Sequence, residues 1–383
     1  MNFEFAAPTR IIFGEGRLCD AGPLAASLGS RALLVEGRAS RAGAFGGQLV
    51  DSGLRAMTVR VEGEPTTMVV QRLAEQARAE RCNLVVALGG GSVIDAGKAI
   101  AALLTNLDPL RDYLEVVGKG RPLTNRSAPL IAIPTTAGTG AEVTRNAVLM
   151  VEEERVKVSL RSALMLPTVA LIDPTLTYTL PPNVTASTGL DALAQCIEPF
   201  VSVQANPLSD AVAREGIQRA AGALRRVYHD GGDVGARRDM AVASLCGGLA
   251  LANAKLGAVH GFAAPLGGMF PIPHGNACAR LLSPVVETNL RALRARAPES
   301  PTIARYDEIA RLVTGHADAQ AEDGAEWLRH LADELAVPSF SAYGVRELDI
   351  PRVVAEARRA SSMQGNPIVL TDEELAATLR AAI

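Results

Sequence analysis

The spacing of apolar and polar positions changes near residue 180 of this 383-residue chain. Before that point, short β-branched runs alternate with stretches of helical period. "RALLVEG" (31–37), "AMTVRV" (56–61), "NLVVALGGG" (83–91), "PLIAIPTT" (129–136) and "VALIDP" (169–174) read as buried strands. "TTMVVQRLAEQARAER" (66–81) and "SVIDAGKAIAALLT" (92–105) carry apolar residues three and four apart and read as helices. This alternation predicts a parallel sheet covered on both faces, a Rossmann-like α/β domain. After "LPPN" (180–183) two prolines interrupt both patterns, and long Ala/Leu-rich stretches replace the β-branched runs. The expected organisation is an α/β domain over residues 1–180 and an all-helical domain over 181–383.

Composition narrows the partners. A chain of this length exceeds one ordinary core, which agrees with two domains. Hydrophobic content of 48% and charged content of 21% describe a soluble globular protein. The net charge is −3, no basic tract occurs, and aromatics make up 4%, so nucleic acid is not expected as a partner. Cys19, Cys82, Cys196, Cys246 and Cys278 are odd in number, scattered and never paired as CxxC, which fits a reducing cytoplasm. The opening "MNFEFAAPTRIIFGEG" has early acidic residues and no apolar core, so no signal peptide is expected. No apolar run reaches the ~18 residues of a membrane span.

The chemistry begins at "VVALGGGSVIDAGKAI" (85–100). A strand runs into Gly89, Gly90 and Gly91, then Ser92, with a helix expected from about Val93 and Ser92 as its cap. Three glycines let backbone approach a ligand, and the free N–H groups of a helix start favour an anion, which together suit a dinucleotide pyrophosphate. A tight turn alone would need one glycine. "FGEGRLCDAG" (13–22) is set aside, because its glycines are wrongly spaced and it precedes the first strand-helix unit instead of closing a strand. "IPTTAGTGAEVT" (133–144) places Thr135 and Thr136 at a strand end, where ligands of open parallel sheets bind.

In the second half, "TGLDALAQCIEPF" (188–200) puts Asp191 and Gln195 on one helix face. Only five histidines occur, and His260 and His274 share "GAVHGFAAPLGGMFPIPHGNACARLL" (257–282). One carboxylate and two imidazoles suit Zn2+ or Fe2+, and the pair also admits a purely structural reading. His229, His316 and His330 lie in charged surroundings and are expected at the surface. Phe262, Met269 and Phe270 read equally as core or as substrate wall.

Together the motifs resemble the iron-containing (group III) alcohol dehydrogenases. "GGGSVIDAGKAIA", "PTTAGTGAEVTRNAV", "VALIDPTLTYTLPP", "TASTGLDALAQCIEPFVS", "ANPLSDA", "GAVHGFAAPLGGMFPIPHG" and "SSMQGNP" occur in the family's order over most of the chain. Glycerol dehydrogenases, maleylacetate reductases and dehydroquinate synthases look like more distant relatives. The resemblance implies a dehydroquinate synthase-like fold, with the active site between its two domains. It implies that Gly90, Gly91, Ser92, Asp95, Thr135, Thr136, Thr144 and Lys157 face the cofactor. Asp191, His260 and His274 are implied as metal ligands, and with Lys157 they form the expected catalytic group. The fourth ligand position is 195, where the family pattern has His and this chain has Gln. Position 264, often a non-ligating His beside the nicotinamide, is Ala. Gln195 is expected to be a weak neutral ligand, leaving a divalent site of lowered affinity. A metal-independent oxo-acid reductase, with His260 or His274 as proton donor, is the alternative.

NAD-preferring members commonly carry a carboxylate where this chain has Gly37, followed here by Arg38, Ser40 and Arg41. Loss of the acid and gain of cations favour NADP, whereas Glu36 shifted by one residue would favour NAD. The expected activity is hydride transfer between NAD(P)(H) and a small alcohol, aldehyde or ketone. A non-redox lyase or cyclase would need a basic site, and 188–200 and 257–276 hold few cations. A silent binding protein fits Gln195 and Ala264 but not the intact glycine loop. A homodimer is expected, with the strand "TRIIFG" able to pair across it.

Overall fold

In the α/β half, strands β1 (Arg10–Phe13), β2 (Arg31–Glu36), β3 (Arg55–Arg60), β4 (Leu84–Gly89) and β5 (Leu130–Pro134) precede a hairpin, β6 (Asn146–Val151) and β7 (Val156–Arg161), and then β8 (Val169–Ile172). The computed structural model describes residues 2–37, 42–154 and 156–383. Six strands form one parallel sheet ordered β1-β8-β5-β4-β2-β3, and the hairpin stands apart as an antiparallel pair. Helices α1 (Ala21–Leu28), α2 (Ala42–Asp51), α3 (Thr67–Ala79), α4 (Gly91–Thr105) and the short α5 (Leu110–Tyr113) accompany these strands.

Both faces of the sheet are covered, and this explains the continuous apolar runs. On β2, Leu33 and Val35 join the core formed with α3 and α4, whereas Ala32 and Leu34 join the core on the opposite face. The five apolar runs all become strands. Two other features carry a weaker pattern. Only Ile12 of β1 is buried, because β1 is an edge strand with β8 on one side. The hairpin strands are half-buried, so their apolar positions merely alternate. The residues after β1 do close a strand, contrary to the reading of 13–22. Their N–H groups are committed to the fold, since Gly16 and Leu18 both donate to Asp173.

The register brings the expected ligand-binding segments to one end of the sheet. Gly89 pairs with Pro134, and Glu36 pairs with Leu88, so residues 37, 89–92 and 135–136 all follow carboxyl ends of adjacent strands.

The helical half comprises α6 (Pro182–Val201), α7 (Pro207–His229), α8 (Val234–Ala254), α9 (Ala258–Met269), α10 (His274–Arg296), α11 (Pro301–Thr314), α12 (Ala321–Glu334), α13 (Ile350–Arg359) and α14 (Asp372–Arg380). The prolines of "LPPN" open α6, with Pro181 at the N-cap and Pro182 in the first turn, where its missing N–H costs nothing. The chain divides into two compact units, residues 6–136 with 140–177, and residues 178–383 with 1–5 and 137–139. Among the described residues no single helix is long and apolar enough to cross a membrane.

Candidate metal centre and dinucleotide loop

The helical unit gathers its donors from three helices. Asp191 lies in the middle of α6, His260 in the first turn of α9, and His274 opens α10. Asp191 and His260 are buried, and the His274 side chain is 34% exposed. His260 Nε2 and His274 Nε2 lie 3.3 and 3.7 Å from the same atom, Asp191 Oδ1. Cys278 joins them from the next turn of α10, with Sγ 3.6 Å from each Nε2. One donor atom from each of these four residues falls within 4.8 Å of all the others.

Several contacts hold the cluster in place. Glu198, two turns beyond Asp191 on α6, is buried and sits with Oε2 2.5 Å from His260 Nδ1. Its Oε1 accepts the Val259 N–H at 2.7 Å, and Asn366 Oδ1 accepts that of Ala258 at 3.1 Å. These two side chains satisfy N–H groups at the start of α9, whose N-cap Gly257 supplies none. Within "SSMQGNP", Asn366 makes this contact and its neighbour must be glycine, since a Cβ on Gly365 would lie 2.0 Å from the Leu256 carbonyl oxygen. By engaging Nδ1, Glu198 turns Nε2 of His260 into the cluster.

Burial would raise the Asp191 carboxyl, but the His274 charge and then the adjacent His260 imidazole outweigh it and hold it below the usual range. For His260, burial would lower the ring, yet the Cys278 sulfur and the Glu198 and Asp191 carboxylates raise it well above its ordinary value. Burial pushes the Cys278 thiol up to about 12. Asp191 Oδ1 has no hydrogen-bond partner despite full burial. A buried carboxylate oxygen left in this state, facing two imidazole nitrogens, suits a cation.

Gln195 follows Asp191 by one turn and is 2% exposed. Its amide nitrogen donates to the Gly138 carbonyl at 3.1 Å. Ala264 is half-buried one turn beyond His260. Phe262 is core, Met269 and Phe270 pack partly buried against it, and His229, His316 and His330 are exposed. Glu198 and Cys278 were not anticipated, although both stand in the motifs already singled out. The spacing of four between His274 and Cys278 was the available signal.

In the α/β unit, α4 begins at Gly91 rather than Val93. Gly90, in an extended conformation, is the N-cap, and its carbonyl accepts the Val93 and Ile94 N–H groups. Ser92 therefore lies inside the first turn and caps nothing. A Cβ on Gly89 would lie 2.6 Å from Val93, so the fold itself demands that glycine. A Cβ on Gly90 would meet Thr136 at an ordinary 3.5 Å, so packing does not explain the second one. Thr135 N–H donates to the Gly89 carbonyl at 3.0 Å.

Three expected cofactor residues are engaged inside the fold. Lys98, 1% exposed on α4, pairs with Asp95 at 2.8 Å and donates to Thr144 Oγ1 at 2.9 Å and to the Asn146 carbonyl. Asp95 also accepts the Val148 N–H at 3.0 Å, which ties α4 to the hairpin. Lys157 on β7 pairs with Glu64 at 2.9 Å. Gly37 is described and half-buried, whereas Arg38, Ser40 and Arg41 lie outside the described residues.

Comparison with known proteins bears on the whole chain. Residues 8–174 match the model of the iron-containing alcohol dehydrogenases, and 185–383 match that of the C-terminal part of the Fe-containing alcohol dehydrogenase family. A choline dehydrogenase of Bacillus subtilis is 36% identical over 96% of this chain and 92% of its own. A 1,3-propanediol dehydrogenase of Klebsiella pneumoniae is 35% identical over 99% of this chain and 98% of its own. A crystal structure of 1,3-propanediol oxidoreductase superposes with a TM-score of 0.92 at 33% identity, covering 100% of both chains.

Proposed function

Because the chain belongs to the iron-containing alcohol dehydrogenase family, and is an NAD(P)-dependent oxidoreductase of small alcohols and aldehydes, we propose that Asp191, His260 and His274 hold the divalent metal of its reaction. One observation carries this reading: Asp191 Oδ1 is buried, accepts no hydrogen bond, and is faced by two imidazole nitrogens at 3.3 and 3.7 Å. Carboxylate and imidazole donors fit both Fe2+ and Zn2+. When bound, such an ion acts as a Lewis acid on the substrate oxygen, favouring an alkoxide and polarising a carbonyl in the reverse direction. Glu198 orients His260 for this task, and Asn366 with Glu198 fixes the start of α9. The chain is a divergent member at position 195, where an amide replaces the family's imidazole.

At the other site, the N–H groups of Gly91 and Ser92 take the dinucleotide pyrophosphate, with Gly89, Gly90, Thr135 and Thr136 lining its path. Asp95 and Thr144 act through Lys98, and Lys157 through Glu64, in shaping that end of the sheet. The preferred cofactor is NADP(H). Position 37 lacks the carboxylate that would repel a 2′-phosphate, and Glu36 is fully buried at the end of β2. A homodimer paired through the open edge of β1, in a reducing compartment that suits five free cysteines, completes the reading.

The test is elemental analysis of purified protein, followed by chelation and a screen of alcohols, aldehydes and ketones with both cofactors. We expect substoichiometric divalent metal, activity lost on chelation and recovered on adding the ion back, and a higher kcat/KM with NADPH. Full activity in protein free of metal would overturn the metal reading. An NADH preference of about tenfold, a difference of ~1.4 kcal/mol, would overturn the cofactor assignment. Turnover without net change at the nicotinamide absorbance would indicate a lyase or cyclase.

A further inference from the structure

We propose that Cys278 supplies the fourth bond to the metal, in place of the imidazole that position 195 lacks, and that the site takes zinc in preference to iron. This rests on the reading that Asp191, His260 and His274 hold a divalent ion.

The first argument is distance. A tetrahedral ion with bonds of about 2.0–2.3 Å needs donors about 3.3–3.8 Å apart. Four of the six separations match: 3.3 and 3.7 Å from Asp191 Oδ1 to the two imidazoles, and 3.6 Å from Cys278 Sγ to each, with the other two inside 4.8 Å. Second, His274 and Cys278 stand four apart on α10, so one rigid face presents both. Third, Gln195 is a weaker candidate. Its amide nitrogen is tied to Gly138, and its remaining oxygen is neutral.

Softness points the same way. On binding the ion, the Cys278 thiol gives up its proton to solvent, as a ligating thiol must. A thiolate is a soft ligand that suits zinc better than a nitrogen and oxygen set does. The buried Asp191 oxygen, which accepts no hydrogen bond and faces two imidazole nitrogens, independently suits a cation, so the inference does not stand on the cysteine alone.

The test is cobalt substitution of the full-length protein, read by absorption spectroscopy. A cobalt–thiolate bond gives an intense near-ultraviolet charge-transfer band that nitrogen and oxygen ligands do not. The intact protein should show this band. Cys278→Ser should lose it and bind zinc at least about tenfold more weakly, whereas Gln195→Ala should keep it. Competition with equal zinc and ferrous iron should leave zinc bound. Cobalt binding without the band overturns the role of Cys278 while the metal reading stands. Failure to bind any divalent ion overturns both. The first measurement needs no variant, so misfolding of Cys278→Ser does not affect it.

Discussion

Glu142 lies within the threonine and glycine segment 133–144, 2% exposed, and burial raises its carboxyl from 4.5 to about 7 although a backbone hydrogen bond and then Lys98 oppose this. The folded state therefore holds a proton that the unfolded chain releases at lower pH. Stability should be greatest below about pH 4.5 for this group and should fall as pH rises toward 7, by an amount on the order of 3 kcal/mol. Glu142→Gln keeps the shape and removes the titration, so it should raise the unfolding midpoint at pH 8 and change it little at pH 4.5. A gain equal at both pH values would count against this account. At the metal centre the residue scale also separates what was legible from what was not. Asp191, His260 and His274 announce themselves by residue type. Glu198 does not, because its function depends on the partner that α9 brings to it, His260 Nδ1. Lys98 is similar: on sequence it is a helix cation, and only burial against Asp95, Thr144 and Asn146 makes it a tie between α4 and β6.

The junction of β4 and α4 gives two of its successive glycines different reasons. Gly89 is required by the side chain of Val93, and Gly90 is not required by any protein neighbour. This contrast yields a paired prediction. Gly89→Ala should destabilise the α/β unit by about 1–3 kcal/mol, the usual cost of overpacking. Gly90→Ala should leave thermal unfolding nearly unchanged and weaken NADPH binding, measured by fluorescence titration, by about tenfold or more. If both variants lose stability alike, the second glycine belongs to the fold and not to the ligand. The strand was readable because its residues are apolar on both faces. The helix start was misplaced by two residues, because serine is a common cap and the extended backbone of Gly90 cannot be seen in a sequence.

Across the whole molecule, ligand binding should feed into stability. The donors come from α6, α9 and α10, so an ion that they share joins segments more than 80 residues apart in sequence, from Asp191 to Cys278. Zinc at a hundredfold excess over its Kd should stabilise the native chain by about 2.7 kcal/mol. Calorimetry with zinc and with chelator should show a raised midpoint in zinc. An unchanged midpoint would mean that the three helices are held without the ion.

The sequence by itself determined the change from a parallel sheet to helices, the strand-to-helix glycine turn, and the residue types of the candidate metal cluster. These follow from local rules: period, chain stiffness and the scarcity of histidine outside special sites. The tertiary structure alone decided which groups meet. It placed Cys278 against both imidazoles, turned His260 with Glu198, and tied the Gln195 amide to Gly138. It also drew Asp95, Thr144 and Lys157 into contacts within the fold. Those outcomes depend on separations between distant segments, and no local pattern of apolar and polar residues encodes them.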